Sequence, residues 1–161
     1  MFDRFVVVDW SANSTPKRGR DSIWIAIVDR GGLSVSNPST RAAAQQCLVE
    51  LIASDPTTRT MIGVDFSLGY PVGTAAALGL EGCPWDSMGE HLSGSIIDDD
   101  RNVNNRFEVA STLNARITST GSPFWGCPPA RGGHTLTATK PASFAPLGEW
   151  RAVEKALRDQ G

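Results

Sequence analysis

The sequence predicts a soluble α/β fold, and three observations support this prediction. Two short apolar runs that each end at an aspartate, Asp9 and Asp65, are typical of buried strands. Two further β-branched segments lie between these runs, and an amphipathic helical segment precedes the second run. At 161 residues, one domain is the default. We therefore expect a single domain over residues 1–161. It could be the N-terminal part of a longer chain, because no strand follows the last predicted helix.

The first three strands are predicted to form an antiparallel meander. We expect strands at residues 5–10 and 22–28, separated by a polar loop that contains Pro16 and Gly19. The turn sequence DRGG follows, and residues 33–36 then alternate apolar and polar side chains with the period of a strand. The tight DRGG turn joins strands that are antiparallel neighbours, and the three segments together are typical of a meander.

A helix and a fourth strand are predicted next. Ser39 or Thr40 can cap the helix, since a hydroxyl accepts from the free N–H groups of the first turn. The helix ends before Pro56, and its apolar side chains share one face: Ala44, Leu48, Leu51 and Ile52. A helical crossover favours parallel pairing. We therefore expect the strand at residues 61–66 to lie beside the strand at residues 5–10 and parallel to it.

The remainder of the chain has weaker patterns. Residues 74–80 predict a short helix, and the polar residues 86–105 predict a loop. A helix with an apolar face is expected to begin near Asn104. Residues 122–146 contain five of the ten prolines and predict an irregular segment. The last predicted helix, with apolar side chains at helical spacing, covers residues 150–157.

The composition argues against several classes of protein. A formal charge of −2 and a pI of about 5.6 give no general attraction to phosphate backbones, which dominate nucleic-acid affinity. The three widely spaced cysteines fit neither a disulfide framework nor a zinc site, so a cytoplasmic location is expected. No stretch of about 20 apolar residues occurs, and no membrane span is expected. The oligomeric state is left open.

Asp9 and Asp65 are the candidate catalytic and metal-binding residues. Each follows an apolar run, and parallel neighbouring strands end at the same edge of a sheet, where open α/β sheets bind ligands. Two adjacent carboxylates repel unless a cation or a shared proton offsets the repulsion. Mg²⁺ or Mn²⁺ held by such a pair could activate water against a phosphoryl group. The alternative is that each aspartate caps the loop that follows its strand.

Four further residues are candidates for substrate binding. Ser11 and Ser67 each lie two residues after an aspartate, where a hydroxyl could donate to phosphate or could make an ordinary turn contact. Arg106 lies where a helix is predicted to begin and could bind an oxyanion, or it could be a solvated first-turn charge. Trp125 lies in an aromatic turn that could stack on a base or could cover the core.

Five segments of the chain together resemble a known protein family. They are VVVDWSAN, DSIWIAIV, IGVDFSLGYP, NRFEVASTLN and PFWGCPP. They are similar to an uncharacterised bacterial family, a domain of unknown function with a ribonuclease H-like fold. The resemblance covers about Phe5 to Trp150 and implies the meander, helix and parallel strand together with a site at Asp9 and Asp65. Ribonuclease H-like nucleases use further carboxylates from later elements, for which Glu108 and Glu154 are the candidates here.

Three classes of function are open at this point. The first is a metal-dependent phosphoryl-transfer enzyme or hydrolase, acting on a small phosphorylated ligand or a nucleic acid. The second is an actin-like nucleotide binder, because an Asp-x-Ser sequence followed by a hairpin resembles a phosphate-binding loop. The third is a non-catalytic or small-molecule-binding protein on the same fold. Binding of a divalent metal ion would distinguish the metal-dependent enzyme of the first class from the non-catalytic protein of the third.

Overall fold

A four-stranded mixed sheet forms the first half of the structure, a computed structural model that describes residues 1–160. The strands are β1 (Arg4–Asp9), β2 (Trp24–Asp29), β3 (Gly32–Ser36) and β4 (Thr60–Val64), in the spatial order β3-β2-β1-β4. Strand β1 pairs antiparallel with β2 and parallel with β4, and β2 pairs antiparallel with β3. The predicted meander and the predicted parallel pair of the first and fourth strands are confirmed.

Helix α1 (Arg41–Ser54) makes the crossover from β3 to β4. Its first turn is capped by Thr40, whose Oγ1 accepts from the Ala43 amide at 3.1 Å. The helix packs on the sheet through the predicted apolar face: Ala44, Leu48 and Leu51 join a core made of Val6, Val8, Ile23, Ile25, Ile27, Ile62 and Val64. Ile52 was expected on this face, but its side chain is 51% exposed. Leu48 and Leu51 already fill the helix side that faces the strands.

Four more helices follow β4 in the chain. They are α2 (Thr74–Ala77), α3 (Pro84–Ser95), α4 (Arg106–Ile117) and α5 (Ala152–Arg158). The prediction of a loop over residues 86–105 was wrong for its first half, which is helix α3. Pro84 provides a favourable first helical position, and Met88 and Leu92, one turn apart, pack in an apolar cluster. Residues 122–146 are irregular, as predicted, apart from one 3₁₀ turn at Pro129–Arg131 and two isolated bridges, Trp125–Thr137 and Gly133–Leu136.

Two compact units divide the chain. The first unit contains residues 1–67 and 98–104, and the second contains residues 68–97 and the chain from residue 105 onward. Each unit has its own core: the sheet and α1 in the first, and in the second a cluster around Ala75, Leu78, Met88 and Leu113. The count of one domain stays a prediction. Among residues 1–160, no helix is both long enough and apolar enough to cross a bilayer.

Candidate functional site

The register of β1 and β4 brings the two candidate aspartates to one edge of the sheet. Val8 of β1 lies beside Val64 of β4, and Asp9 and Asp65 are the next residue of each chain segment. Both aspartates are exposed. Side chains alternate between the two faces of a strand, so Asp9 lies on the face opposite to the buried Val8, and Asp65 is the first residue after β4. Because neighbouring strands lie about 4.8 Å apart, the two aspartates begin from adjacent positions at one edge of the sheet.

The Asp65 carboxylate is partly engaged by the backbone. The Trp10 amide N–H donates to Asp65 Oδ1 at 2.9 Å, which connects the end of β4 to the residue after β1. This contact is the capping role that the sequence left as an alternative. It fixes the carboxylate against the end of β1 and leaves Oδ2 as the second possible ligand oxygen.

The Asp9 carboxylate is not engaged in this way. Within residues 1–160, no hydrogen bond or ion pair to its side chain is found. Asp9 also lies opposite Trp24 of β2, so its backbone position is fixed by strands on both sides. A carboxylate held by rigid strands and open to solvent is able to bind a cation without first breaking another contact.

The aromatic residues that follow the two aspartates contact each other. Trp10 and Phe66 meet edge to face, with ring centroids 5.9 Å apart and an interplanar angle of 67°. Trp10 is half-buried and packs against the core under the sheet. The aromatic residue of each Asp-aromatic-Ser sequence therefore has a structural role, because the contact between Trp10 and Phe66 stabilises the adjacent ends of β1 and β4.

The two candidate serines differ in their contacts. Ser11 Oγ donates to the Asp21 carbonyl at 3.3 Å and accepts from the Asn13 amide at 3.3 Å. These are ordinary turn contacts, and they hold the loop after β1. Ser67 is exposed, and no hydrogen bond of its hydroxyl is found in the described part of the chain. Its role in substrate binding stays a prediction.

Arg41 organises the loop beside Asp9 and was not identified from the sequence. Its side chain is 9% exposed and forms a bidentate pair with Asp98, at 2.5 Å to Oδ2 and 2.6 Å to Oδ1. The same guanidinium donates to the Asn13 carbonyl at 2.9 Å and the Ser11 carbonyl at 3.4 Å. A first-turn arginine usually lies in solvent, and the acidic triplet 98–100 was the only signal of a partner.

Asn102 completes this network from the same segment as Asp98. It is buried, with a backbone φ of 70° in the left-handed region, which asparagine tolerates better than most residues. Its Oδ1 accepts from the Arg41 amide at 2.8 Å, and its Nδ2 donates to the Thr15 and Ser39 carbonyls. Residues 98–104 therefore connect the loop after β1 to the beginning of α1.

Arg106 and Trp125 belong to the second unit, whereas Asp9, Asp65, Ser11 and Ser67 belong to the first. Arg106 is the first residue of α4, and its guanidinium lies over the Phe107 ring at 4.5 Å. Trp125 is 47% exposed and forms an isolated bridge with Thr137. The structure gathers the first four residues in one unit, and the part of Arg106 and Trp125 in the site stays a prediction.

Asn114 is a second buried polar residue that sequence reasoning missed. It lies in α4 with 0% exposure, and its Nδ2 donates to the Phe124 and Thr135 carbonyls at 2.7 and 2.8 Å. The Phe124 amide donates to Asn114 Oδ1 at 2.9 Å. Phe124 also meets Tyr70 edge to face at 5.9 Å. Within the second unit, these contacts order the irregular segment that contains Trp125.

Both candidates for a further carboxylate ligand already have arginine partners. Glu108 pairs with Arg131 at 2.7 Å. Glu154 pairs with Arg151 at 2.5 Å, and the hydrogen bond from this guanidinium lowers the pKa of the Glu154 carboxyl. Among residues 1–160, no three His, Cys, Asp or Glu side chains are grouped closely enough to hold a metal ion. Any metal at this edge would therefore have Asp9 and Asp65 as its carboxylate ligands, with water or substrate supplying the rest.

Comparisons with known proteins do not assign the chain to a family. No family model matches the sequence, no curated protein matches it, and no solved structure matches the fold.

Proposed function

We propose that the chain is a metal-dependent phosphoryl-transfer or hydrolase-type protein with a ribonuclease H-like fold. Asp9 and Asp65 would hold one Mg²⁺ or Mn²⁺ ion. The observation that carries this proposal is the parallel register of β1 and β4, which puts two exposed carboxylates in adjacent positions at one sheet edge. Mg²⁺ is commonly bound by one or two carboxylates, with water and substrate oxygens completing its coordination.

The resemblance to the uncharacterised bacterial family supports the same proposal. The order of meander, helix and parallel strand agrees with what that resemblance implies. A cytoplasmic location is part of the proposal, because all three cysteines are free thiols, which suits a reducing compartment.

The substrate we propose is a small phosphorylated molecule rather than a nucleic acid. The densest basic cluster in the sequence is Lys17, Arg18 and Arg20. Lys17 and Arg20 both lie within 4 Å of the Asp21 carboxylate, which offsets part of their charge. Affinity for a nucleic-acid backbone depends on several unpaired cations along an extended surface. A phosphate that coordinates the metal directly needs no such surface.

Replacing Asp9 or Asp65 with Asn is expected to weaken divalent-metal binding roughly tenfold to a hundredfold, because each change removes one ligand charge at nearly constant volume. Isothermal titration with Mg²⁺ and Mn²⁺, with circular dichroism to verify the fold, measures this effect. Asp86→Asn provides the matched control, since Asp86 lies in the first turn of α3 in the other unit.

Two results would contradict the metal site. One is a parent protein that binds neither ion at about millimolar concentration, which is too weak for function at cellular Mg²⁺ levels. The other is that both Asn variants bind as well as Asp86→Asn. Hydrolysis of bis-p-nitrophenyl phosphate and of p-nitrophenyl phosphate, with and without metal, then tests whether the site is catalytic.

A second candidate function is a non-catalytic protein in which these aspartates are structural. The hydrogen bond from the Trp10 amide to Asp65 favours this second function, because it gives the Asp65 carboxylate a structural role that requires no metal. In this case Asp65→Ala would reduce thermal stability, because it removes the acceptor of the Trp10 amide, whereas Asp9→Ala would leave it unchanged, and neither would alter metal binding. The proposed metal site predicts loss of metal affinity in both variants.

A further inference from the structure

One face of the sheet is apolar and uncovered. Helix α1 covers the face that carries Val6 and Val8, whereas alternate residues of the strands lie on the other face and remain exposed. Its large apolar side chains are Phe5 at 46%, Val7 at 62%, Trp24 at 38%, Val28 at 48%, Leu33 at 69%, Val35 at 56% and Met61 at 49% exposure. We call these seven residues the open face.

The register shows that the open face is continuous. One row across the sheet contains Leu33, Val28, Phe5 and Met61, which are neighbours on successive strands. The next row contains Val35, Ala26, Val7 and Gly63. No charged side chain interrupts either row.

The alternation of apolar and polar residues in β3 indicates that the open face packs against another layer of protein. Leu33 and Val35 lie on the open face, and Ser34 and Ser36 lie on the side of the sheet that α1 packs against. In a half-buried strand, the apolar residues of such an alternation face the protein interior. The parallel pair β1 and β4 supports the same conclusion, because parallel strands are usually buried on both faces.

The area of the open face is sufficient for a dimer. Its seven side chains expose on the order of 600 Å² in total, at the upper end of the largest apolar patch on a typical monomer. Two copies packed face to face would bury on the order of 1,200 Å² from these side chains alone, which reaches the range of specific interfaces.

The charges at the two ends of the open face are complementary to each other. The carboxyl end of β1 and β4 carries Asp9 and Asp65, and the opposite end carries the exposed Arg30 beside the Arg59–Asp3 ion pair. In a two-fold arrangement with antiparallel sheets, the acidic end of one copy lies opposite Arg30 of the other. A symmetric interface requires this kind of self-complementarity.

We propose that the open face is the interface of a symmetric homodimer, in which the sheets of two copies pack face to face and run antiparallel. The occupant of the face is thus a second copy of this chain. The two apolar rows contain neither aspartate, so dimer formation requires no bound metal, although Asp9, the cross-strand partner of Trp24, borders the same face.

Sedimentation velocity of the purified full chain at about 10–100 µM, a range in which interfaces of this size associate, tests the proposal. The parent is expected to sediment as a dimer, and Val7→Lys as a monomer, because a lysine at the centre of the face would be buried without a partner. Val49→Lys is the matched control: Val49 is 52% exposed on α1, away from the open face, and this variant should remain dimeric.

A second face variant, Val35→Lys, keeps the test decisive if circular dichroism shows that Val7→Lys does not fold. Val35 lies on the edge strand β3, and the Val35→Lys protein should also be monomeric. Arg30→Glu should raise the dimer dissociation constant at least severalfold, because it would place like charges opposite each other. A monomeric parent, larger open-ended assemblies, or a Val35→Lys dimer as stable as Val49→Lys would each overturn the homodimer. A dimer dissociation constant that is unchanged in Arg30→Glu would overturn the antiparallel arrangement.

Discussion

Replacing Asp98 with Ala is expected to lower the free energy of unfolding by about 2 to 3 kcal/mol, because it removes the counter-charge of a buried guanidinium. Arg41 has a side-chain exposure of 9% and donates to both oxygens of Asp98. The Asp98 side chain is 33% exposed, so solvent reduces the effect below that of a fully buried pair. The carbonyls that Arg41 also contacts cannot neutralise its charge.

Urea denaturation followed by circular dichroism measures this loss. Asp100→Ala is the control, since Asp100 is an exposed residue of the same acidic triplet. It should change stability by less than about 0.5 kcal/mol, as is usual for surface substitutions. Equal stability of the two variants would show that the Arg41–Asp98 pair does not contribute to the fold.

The second large effect is expected in the other unit, at Asn114. Asn114→Leu keeps an apolar side chain of similar size in the core, but it leaves the Phe124 amide and the Phe124 and Thr135 carbonyls without their partner. A buried polar group left unsatisfied costs about 1–3 kcal/mol, and these three belong to half-buried residues that water partly reaches, so the total loss should be about 2–4 kcal/mol. The backbone around Phe124 should also exchange its amide hydrogens faster.

Hydrogen exchange measured on a peptide that covers residues 122–137, together with urea denaturation, checks both parts of this expectation. Ala115→Leu is the control, because Ala115 is the exposed neighbour of Asn114 on the same helix. If the amides of this peptide exchanged as slowly in Asn114→Leu as in Ala115→Leu, the result would contradict the anchoring role of Asn114.

The strands and α1 could be predicted from the sequence because their signals are local. The apolar runs, the DRGG turn and the Thr40 cap each lie within a few residues of the structure they specify. The parallel pairing of β1 and β4 then follows from the helical crossover between them. The adjacency of Asp9 and Asp65 could be predicted for the same reason, since it depends only on strand order and register.

Helix α3 could not be predicted because its local signal is weak. It contains Gly89 and Gly94, which disfavour helix, and only Met88 and Leu92 among its residues pack in the core. Tertiary packing, rather than propensity, stabilises a helix of this kind.

The contacts of the buried residues Arg41 and Asn114 were missed for a different reason. Arg41 and Asp98 lie 57 residues apart in the sequence, and Asn114 and Thr135 lie 21 apart. No periodicity connects residues at such separations. An arginine at the beginning of a helix looks like a solvated charge until the fold brings a carboxylate to it.

The return of residues 98–104 to the first unit has a consequence for the order of events during synthesis. At about 5–20 residues per second, a ribosome needs on the order of several seconds to proceed from Arg41 to Asp98. During that interval the nascent sheet and α1 exist without the carboxylate that neutralises Arg41 and without Asn102. The second unit's residues 68–97 emerge before the first unit can be completed. The first unit is therefore finished only after translation passes residue 104, and a gene fragment that stops at residue 67 would encode it without Asp98, the carboxylate that pairs with the buried Arg41.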